Sequence, residues 1–427
     1  MEAFERAELD GIEFGGCVLT DDDPRFRCPE CRVEWPTEAS RLHDRFATPR
    51  LEWPAEIRDV GPTSSLADLV QGSLLWGAVG DALGRPNEGR SRSTVGHPDD
   101  PGFVRDYRPW RGWTAGPTGT ITDDTQLTMI VAEALLDAGG SIDCDDYCGR
   151  LVEWLPGARG AGRATREAVS LLGESTPWWQ AGARVDSSGN GAAMRSAPVG
   201  LAHALDAGTG LLRRLAVGYA LPTHAGAVGV AGAVAIAAGV AYVVRSRLAA
   251  EQRFEPQRFL EFVAAAIAGI EREPTRERRR ESTGPVSLHD RILELGAMLD
   301  RDPEEVLAWT WTGAFALESV PAALFCFARS PLDPAEVLLT AANTSHDTDT
   351  IASMAGNLVG AMVGASRLHD GHPAWWHDLE YRDELTSLAD GLAGIALGRS
   401  APAAEAALRR RDTASAAPRA VRPRRCL

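Results

Sequence analysis

The chain has 427 residues, of which 44% are hydrophobic and 24% charged, and this balance indicates a soluble globular protein rather than a fibrous or disordered one. Its formal net charge of −15 argues against dedicated DNA or RNA binding, because nucleic-acid-binding proteins carry basic surfaces that displace counterions from phosphates. Seven cysteines, an odd number without a recognisable signal peptide, favour a cytoplasmic protein over a disulfide-stabilised secreted one.

Residues 1–63 differ in composition from the rest of the chain and are expected to form a small acidic appendage. They contain Cys17, Cys28 and Cys31, of which the last two form a Cys-x-x-Cys pair, half of a typical structural zinc site. Small domains often need a metal to fold, so one structural Zn²⁺ is a candidate cofactor, with His43 as the nearest histidine for a fourth ligand. The alternative is a set of unliganded thiols in a loosely packed arm. A redox pair is less favoured, because no thioredoxin-like strand–helix pattern surrounds it.

Residues 64–400 carry helical periodicity and predict an all-α fold, a compact multi-helix domain. Apolar residues repeat at helical spacing from Leu66 onward, through 125–137 and again through 351–362. We find no alternating strand pattern of useful length. Residues 401–427 are rich in Ala, Pro and Arg and predict a disordered tail, because they cannot bury enough apolar surface to order themselves.

Residues 225–244 contain no charge and are long enough to cross a bilayer. The segment is mostly Ala and Gly, whereas membrane insertion depends mainly on larger apolar side chains. A buried helix in a helical core is therefore favoured over a membrane span, and no membrane partner is expected. The strongly charged run 271–285 favours an exposed loop between core helices.

Two short acidic clusters carry the most specific chemical signal. Each places a Thr hydroxyl beside two carboxylates immediately before an amphipathic helix rich in small residues. The clusters consist of Thr122, Asp123 and Asp124 before the first helix, and of Asp347, Asp349 and Thr350 before the second.

Helix capping explains either cluster alone, because Asp and Thr satisfy the free N–H groups of a helix start and oppose its dipole. Capping does not require two carboxylates at each of two buried helix starts, and such carboxylates are costly unless cations neutralise them. Hard cations such as Mg²⁺ and Mn²⁺ prefer these oxygen ligands. If the two helix starts meet in space, they could hold two metal ions about 3.5–4 Å apart. The series Gly356, Gly360 and Gly364 would allow the second helix to approach a neighbour closely.

Three further motifs lie between or before the clusters. Glu88 follows a helix that ends at Gly84 and Pro86, on a loop where a carboxylate is either simply solvated or positioned to act on a substrate. The segment 189–200 is Gly-rich and then helical, so it is either an ordinary turn or a cradle for a diphosphate. His224 precedes the long apolar helix, where a capping or core histidine is the default interpretation.

Taken together and in this order, the motifs resemble the ADP-ribosylglycohydrolase family, over about residues 66–400. The resemblance implies an all-α fold around two Mg²⁺ or Mn²⁺ ions, with both clusters supplying the metal ligands. It also implies an enzyme that acts on an ADP-ribosylated substrate, with Glu88 and Asp349 as catalytic carboxylates. Asn190, Gly191 and Met194 would contact the distal ribose or the diphosphate, and His224 would lie near the same pocket. The motifs that carry the resemblance are GAVGDALGRPNE, GTITDDTQLTM, GNGAAMRSAPVGL, THAGAVGVAGAVAIAAGVAY and HDTDTIASMAGNLVGA.

Two motifs depart from the family pattern. Gly160 stands where relatives that act on ADP-ribosyl-arginine often have Asp, which weakens a prediction of arginine-linked specificity. Ser345 and His346 replace smaller residues before Asp347, and the imidazole is expected to affect metal geometry or substrate access.

The sequence therefore predicts a metal-dependent hydrolase that cleaves the glycosidic bond at ribose C1″ and releases ADP-ribose from a protein, nucleic acid or small molecule. Such cleavage passes through an oxocarbenium-like state, helped by acid assistance to the leaving group and an activated water molecule. The alternatives are a non-catalytic ADP-ribose-binding or crystallin-like structural member and a metal-dependent phosphohydrolase using the same centre.

Overall fold

The computed structural model describes the three short strands of the appendage and most of the helical domain. Cys17, Cys28 and Cys31 of the possible zinc site lie outside the described residues, as does the tail at 401–427, so both remain predictions. The described residues are 13–14, 25–27, 34–36, 51–90, 102–109, 116–184, 187–249, 254–271 and 287–398.

The appendage contains a small antiparallel sheet that the sequence did not reveal. Its strands are β1 (Glu13–Phe14), β2 (Arg25–Arg27) and β3 (Glu34–Pro36), in the order β1-β2-β3. Phe26 of β2 pairs with Phe14 on one side and with Trp35 on the other. Strands of two or three residues are too short to show an alternating pattern.

The rest of the described chain is helical, which confirms the predicted all-α fold of this part. Short 3₁₀ turns extend four of the helices, at Arg85–Asn87, Leu155–Gly157, Gly182–Arg184 and Gly296–Met298. The helices are α1 (Ala55–Arg58), α2 (Leu66–Gly84), α3 (Asp123–Asp137), α4 (Cys144–Trp154), α5 (Arg163–Gly173), α6 (Trp178–Ala181), α7 (Ala197–Ala202), α8 (Gly210–Ala220), α9 (Ala227–Leu248), α10 (Pro256–Ile267), α11 (Leu288–Leu295), α12 (Pro303–Thr310), α13 (Ala316–Arg329), α14 (Pro334–Ala342), α15 (Thr348–Val363), α16 (Ser366–Gly371), α17 (Pro373–Asp378) and α18 (Arg382–Ala396).

Helices α2 and α15 form the central pair, and their backbones lie in close contact. A Cβ atom added at Gly356 would lie 2.2 Å from the Trp76 carbonyl oxygen, and one at Gly360 would lie 2.2 Å from the Gly72 carbonyl oxygen. The approach is mutual, since a Cβ at Gly80 would lie 2.1 Å from the Ala352 carbonyl oxygen. The glycine series of α15 therefore has the packing role that its spacing predicts. This contact brings the C-terminal end of α2 beside the start of α15.

Helix α9 is the one helix among the described residues that is long and apolar enough to cross a membrane, and 94% of its most apolar 18-residue window is buried inside the protein. It lies in the hydrophobic core, the position expected of a core helix. The helix lacks an amphipathic face because neighbouring helices cover it on every side.

Residues 51–63, at the end of the predicted appendage, pack against this core. Trp53 is buried and stacks on Phe262 at 5.3 Å between ring centroids. The guanidinium of Arg245, near the end of α9, lies over the Trp53 ring and donates a 2.9 Å hydrogen bond to the Ile57 carbonyl oxygen. The helical core therefore includes this segment.

Candidate functional site

The start of α3 is held by a carboxylate from another helix, Asp81 of α2. This side chain is fully buried. Its Oδ2 atom accepts hydrogen bonds from the backbone N–H groups of Thr122 (2.9 Å) and Thr125 (3.1 Å) and from the Thr125 hydroxyl (2.6 Å). Asp81 thus caps α3 from across the helix interface and fixes the position of the first acidic cluster.

In the first acidic cluster one residue caps the helix, and one carboxylate oxygen has no hydrogen-bond partner among the described residues. Thr122 is the N-cap of α3, and its hydroxyl accepts a hydrogen bond from the Asp124 backbone N–H. The same hydroxyl lies 3.1 Å from Asp124 Oδ2, to which it donates. The other oxygen, Asp124 Oδ1, is buried without a hydrogen-bond partner among the described residues. The capping interpretation therefore accounts for Thr122 and not for Asp124.

Asp123 lies beside an unusual glycine. Its backbone N–H donates to the Arg159 carbonyl oxygen at 2.8 Å. The following residue, Gly160, has a left-handed φ of +92°, and a Cβ there would lie 3.0 Å from Asp123 Oδ1. A side chain at position 160 would therefore begin next to the acidic cluster, and Gly160 leaves this edge of the site without one.

The second acidic cluster meets the first. Thr350 donates from Oγ1 to Asp124 Oδ2 at 3.3 Å, which joins residues 226 positions apart in the chain. Asp347 is the N-cap residue of α15, but its side chain makes no capping hydrogen bond among the described residues, and its Oδ2 accepts a 2.5 Å hydrogen bond from the Asn190 amide. Asp349, in the first turn of α15, accepts the Thr350 backbone N–H at 3.1 Å. The two predicted clusters thus converge in space.

The converged carboxylates form two groups with the geometry of cation sites. One group is Asp81, Asp124 and Asp349, and the other is Glu88, Asp347 and Asp349. Within each group the ligand oxygens all lie within 4.8 Å of one another, and Asp349 belongs to both. Sequence reasoning missed Asp81 as a site residue. Its only signal was a carboxylate within the apolar, Gly-rich C-terminal half of the helix.

Burial shifts the titration of these carboxyl groups strongly. Burial raises the pKa of Asp349 to about 7, with the charge of Asp347 adding to the shift and the Arg85 guanidinium opposing it. Burial, followed by the charge of Asp349, raises the pKa of Asp81 to about 6. The same causes hold the pKa of Asp124 well above its usual range. Crowded buried carboxylates are unfavourable unless protons or cations neutralise them.

Glu88 lies at the exposed rim, on the turn after α2. It forms an ion pair with Arg85, whose Nη1 also lies 3.7 Å from Asp349 Oδ2. The turn is tied to the second cluster by two backbone hydrogen bonds, from Gly89 N–H to the His346 carbonyl oxygen (2.6 Å) and from His346 N–H to the Arg90 carbonyl oxygen (2.9 Å). His346 adopts a left-handed φ of 64°, and its side chain is exposed at the rim.

The Gly-rich turn borders the acidic clusters, the position expected of a substrate-binding segment. Asn190 donates from its amide to Asp347 and to the Ser319 hydroxyl. The Met194 sulfur lies 4.0 Å from Thr350 Oγ1. Gly191 lies against the imidazole of His224, which is buried. The four residues predicted to bind substrate therefore lie on or against the turn that borders the acidic clusters, and their contact with a ligand remains a prediction.

Comparison with known proteins agrees with this architecture. A family model described as ADP-ribosylglycohydrolase matches residues 62–402. The chain is 30% identical over 326 residues to an uncharacterized protein of Archaeoglobus fulgidus, covering 75% of this chain and 94% of that protein. It is 28% identical over 351 residues to the ADP-ribosylhydrolase ARH3 of Mus musculus, covering 75% of this chain and 90% of the relative.

A solved structure described as an ADP-ribosylglycohydrolase-related protein complex superimposes with a TM-score of 0.57 at 26% sequence identity. The match covers 78% of this chain and 99% of that one. The segment matched by the family model contains both acidic clusters, Glu88 and the Gly-rich turn, held together by helices α2, α3 and α15. The chain belongs to the ADP-ribosylglycohydrolase family.

Proposed function

We propose that this protein is a metal-dependent hydrolase that cleaves the glycosidic bond at ribose C1″ and releases ADP-ribose from an ADP-ribosylated protein, nucleic acid or small molecule. Its family supports hydrolysis of ADP-ribose conjugates at the general level. The observation that carries the specific proposal is the pair of carboxylate groups that share Asp349 beside the Gly-rich turn.

The residues of the site fit two hard divalent cations, Mg²⁺ or Mn²⁺. Asp124 Oδ1 is a buried carboxylate oxygen without a partner among the described residues, and hydroxyls of Thr122 and Thr350 lie next to the same side chain. We propose that Asp81, Asp124 and Asp349 hold one cation, and Asp347 and Asp349 the other. When bound, such cations would neutralise the carboxylates, orient the ribose hydroxyls and lower the pKa of a water molecule.

We propose that two carboxylates of this chain move the protons. Glu88 is exposed on its turn, and an oxygen of its carboxylate lies within 4.8 Å of oxygens of Asp347 and Asp349. From the rim it can reach the bond between ribose and leaving group, where a carboxyl group can assist departure or accept a proton from water. Asp349 is shared by the two proposed cation sites, so it would be ionised when cations are bound and could accept a proton from a water molecule held there.

The test is a panel of ADP-ribose linkages to arginine, serine, an acetyl ester and a nucleobase, assayed with Mg²⁺, with Mn²⁺ and with EDTA. We expect cation-dependent release of free ADP-ribose, which Asp349→Ala abolishes while the helical circular dichroism is retained. Asp383→Ala is the matched control, because the Asp383 side chain is 84% exposed and lies on α18. It should retain full activity.

The products and the cation dependence separate this proposal from its alternatives. AMP plus ribose phosphate would identify a phosphohydrolase acting at the same centre. Binding of ADP-ribose without turnover of any linkage would identify a non-catalytic member. Unchanged activity of Asp349→Ala, or full activity in EDTA, would overturn the proposed role of the carboxylates.

We also propose that the protein works in the cytoplasm. Cys144, Cys148 and Cys326 are free thiols buried in the core, which suits a reducing compartment. Retention of fluorescently tagged full-length protein in the soluble cytoplasmic fraction of its host is the expected result.

A further inference from the structure

A buried arginine lies at the end of the Gly-rich turn. Arg195 ends this turn and is only 1% exposed. Its Nη2 donates to the Tyr219 carbonyl oxygen (3.3 Å) and to the Thr223 hydroxyl (2.5 Å). Its Nε and Nη1 have no hydrogen-bond partner among the described residues. Burying a guanidinium is costly, so its charge and its hydrogen bonds are expected to serve a purpose beyond packing.

The hydrogen bonds continue from Arg195 through Thr223 to a histidine. A guanidinium can only donate, so Thr223 Oγ1 is the acceptor in the bond from Arg195. Thr223 Oγ1 lies 2.8 Å from His224 Nδ1. The hydroxyl has one hydrogen of its own to donate, and among the described residues His224 Nδ1 is the second polar atom within hydrogen-bond distance of it. Donation from Arg195 to Thr223 and from Thr223 to His224 uses both contacts.

The environment of His224 favours its neutral form. Burial, followed by the nearby charge of Arg195, lowers the pKa of His224 to about 3. A neutral imidazole has one N–H group, and which nitrogen bears it is set by the hydrogen bond at the other nitrogen. When Nδ1 accepts from Thr223, the proton resides on Nε2.

The edge of the ring that bears Nε2 faces the Gly-rich turn. A Cβ at Gly191 would lie 3.0 Å from Nε2, and one at Gly189 would lie 3.4 Å from it. Between these glycines is Asn190, whose amide donates to Asp347 of the acidic cluster. The imidazole edge and the cluster therefore border the same turn, and one substrate molecule can contact both.

We propose that Arg195 and Thr223 are positioning residues that fix His224 as a neutral donor, with its proton on Nε2, directed toward an anionic oxygen of the substrate at the Gly189–Gly191 turn. The inference rests on the proposed function, because the anionic group of an ADP-ribose conjugate is its diphosphate. Charge distribution supports the assignment. Asp347 adjoins the turn through Asn190, whereas the imidazole of His224 lies at Gly189 and Gly191 with the Arg195 guanidinium behind Thr223. A diphosphate is expected to bind beside the imidazole rather than beside the carboxylates, which would repel it.

The first test is the tautomer itself, which requires no substrate. In the full-length protein labelled with ¹⁵N-histidine, the His224 signals are assigned by their loss in His224→Asn. We expect a protonated Nε2 and an unprotonated Nδ1 across neutral pH, and Thr223→Ser should preserve this pattern. Thr223→Val removes the hydroxyl and should shift the Nδ1 resonance or mix the tautomers. A wild-type spectrum with the proton on Nδ1 would overturn the proposal.

The second test is binding of ADP-ribose itself, measured by calorimetry. We expect Thr223→Val to weaken binding about tenfold, the effect of losing one oriented hydrogen bond, and Thr223→Ser to restore it. Thr209→Val is the matched control, since the Thr209 hydroxyl is also buried and donates to a backbone carbonyl oxygen remote from the turn. In turnover, KM should rise with little change in kcat. Equal affinities of the wild type and Thr223→Val would refute the positioning role.

The two proposals fail in distinguishable ways. If the protein releases no ADP-ribose yet binds it in a Thr223-dependent manner, the proposed hydrolysis is wrong and the positioning role holds. If hydrolysis is robust and Thr223→Val matches the wild type and Thr209→Val in both ADP-ribose affinity and KM, the positioning role is wrong.

Discussion

Asp81 shows how one residue can serve both the fold and the site. It accepts three hydrogen bonds from the start of α3, and it is also one of the three carboxylates that could hold a cation with Asp349. The hydrogen bonds favour its ionised form, whereas burial and the charge of Asp349 oppose ionisation. With its pKa raised to about 6, Asp81 is mostly ionised near neutral pH, but its negative charge is unfavourable in this buried position. A cation bound beside it would offset the repulsion between Asp81 and Asp349.

Replacement of Asp81 by Asn separates these two roles. The amide keeps one oxygen to accept from Thr125 and removes the negative charge. We expect Mn²⁺ affinity to fall at least about tenfold, because one charged ligand is lost. Without metal, the variant should unfold at the same temperature as the wild type or higher near pH 8, because repulsion with Asp349 is relieved. Calorimetric titration with Mn²⁺ and thermal unfolding in EDTA measure the two effects.

The exposed position 383 provides the control, since Asp383→Asn should change neither quantity. If the Asp81→Asn protein binds Mn²⁺ with wild-type affinity, Asp81 is not a metal ligand. An apo variant that is much less stable would show that its capping role outweighs the charge repulsion.

Among the single residues of the site, those that occur in a repeated sequence pattern could be predicted, and those without such a pattern could not. Thr122, Asp124, Asp347 and Asp349 were recognisable because two carboxylates and a Thr recur at two helix starts. Asp81 had no such neighbours, because its partners lie 41 and 44 residues further along the chain.

At the scale of elements, the contact between α2 and α15 is what assembles the site. It places the end of α2, with Asp81 and Glu88, beside the start of α15, with Asp347 and Asp349. The contact depends on glycines whose added Cβ atoms would overlap the opposite backbone. Backbone atoms cannot move aside as a flexible side chain can, so the helices would have to separate.

Gly80→Ala tests this dependence. Its Cβ would lie 2.1 Å from the Ala352 carbonyl oxygen, one turn from Asp349. We expect a loss of stability of about 1–3 kcal/mol, typical of overpacking, together with weaker Mn²⁺ binding as the carboxylate groups move apart. Urea unfolding and Mn²⁺ titration measure the two effects.

Gly149→Ala is the matched substitution. Gly149 lies in the middle of α4, is exposed, and has nothing within 4 Å of an added Cβ. There the same change should stabilise the protein by about 0.4–1 kcal/mol, because alanine restricts the unfolded chain. Equal effects of the two substitutions would contradict the role of close backbone contact.

Helical periodicity predicted the long elements better than the short ones. Helices α3 and α15 were visible because each shows an apolar face at regular spacing over four turns or so. Helix α9 was recognisable by its length and small apolar residues, although it has no polar face. Helix α6 has only four residues, Trp178–Ala181, and its form depends on contacts that no local pattern encodes.

For the whole molecule, the fold brings several negatively charged side chains together in its interior, where unneutralised charge is unfavourable. The chain has a net charge of −15, and several of its carboxylates are buried together at the centre of the helical domain. Helices α2, α3 and α15 supply them from distant parts of the sequence, so the site exists only when the entire domain is folded. Stability, cation binding and pH are therefore linked.

This linkage predicts that the buried carboxyl groups contribute to folding stability with opposite pH dependence in the presence and in the absence of cations. The folded pKa values of Asp81 (about 6) and Asp349 (about 7) lie above the ordinary aspartate pKa of 3.8. Such groups stabilise the fold fully below pH about 4, where both states are protonated, and this contribution is lost as the pH rises through about 6 and 7. His224 acts in the opposite sense, because its folded pKa is lowered to about 3 and the unfolded state binds protons more readily below about pH 6.5. This histidine contributes equally whether or not a metal is present.

The expected result is therefore a difference between two unfolding curves. The rise in unfolding temperature produced by saturating Mn²⁺ over EDTA should grow between about pH 5 and about pH 8, because protons compete with the cation for the carboxylates over this range. In Asp349→Asn the metal-induced rise should be small at every pH, while the contribution of His224 is unchanged. Differential scanning calorimetry of the wild type and this variant provides both measurements. A Mn²⁺ stabilisation that is independent of pH, or equal in Asp349→Asn, would mean that the buried carboxylates are neutralised by something other than a cation.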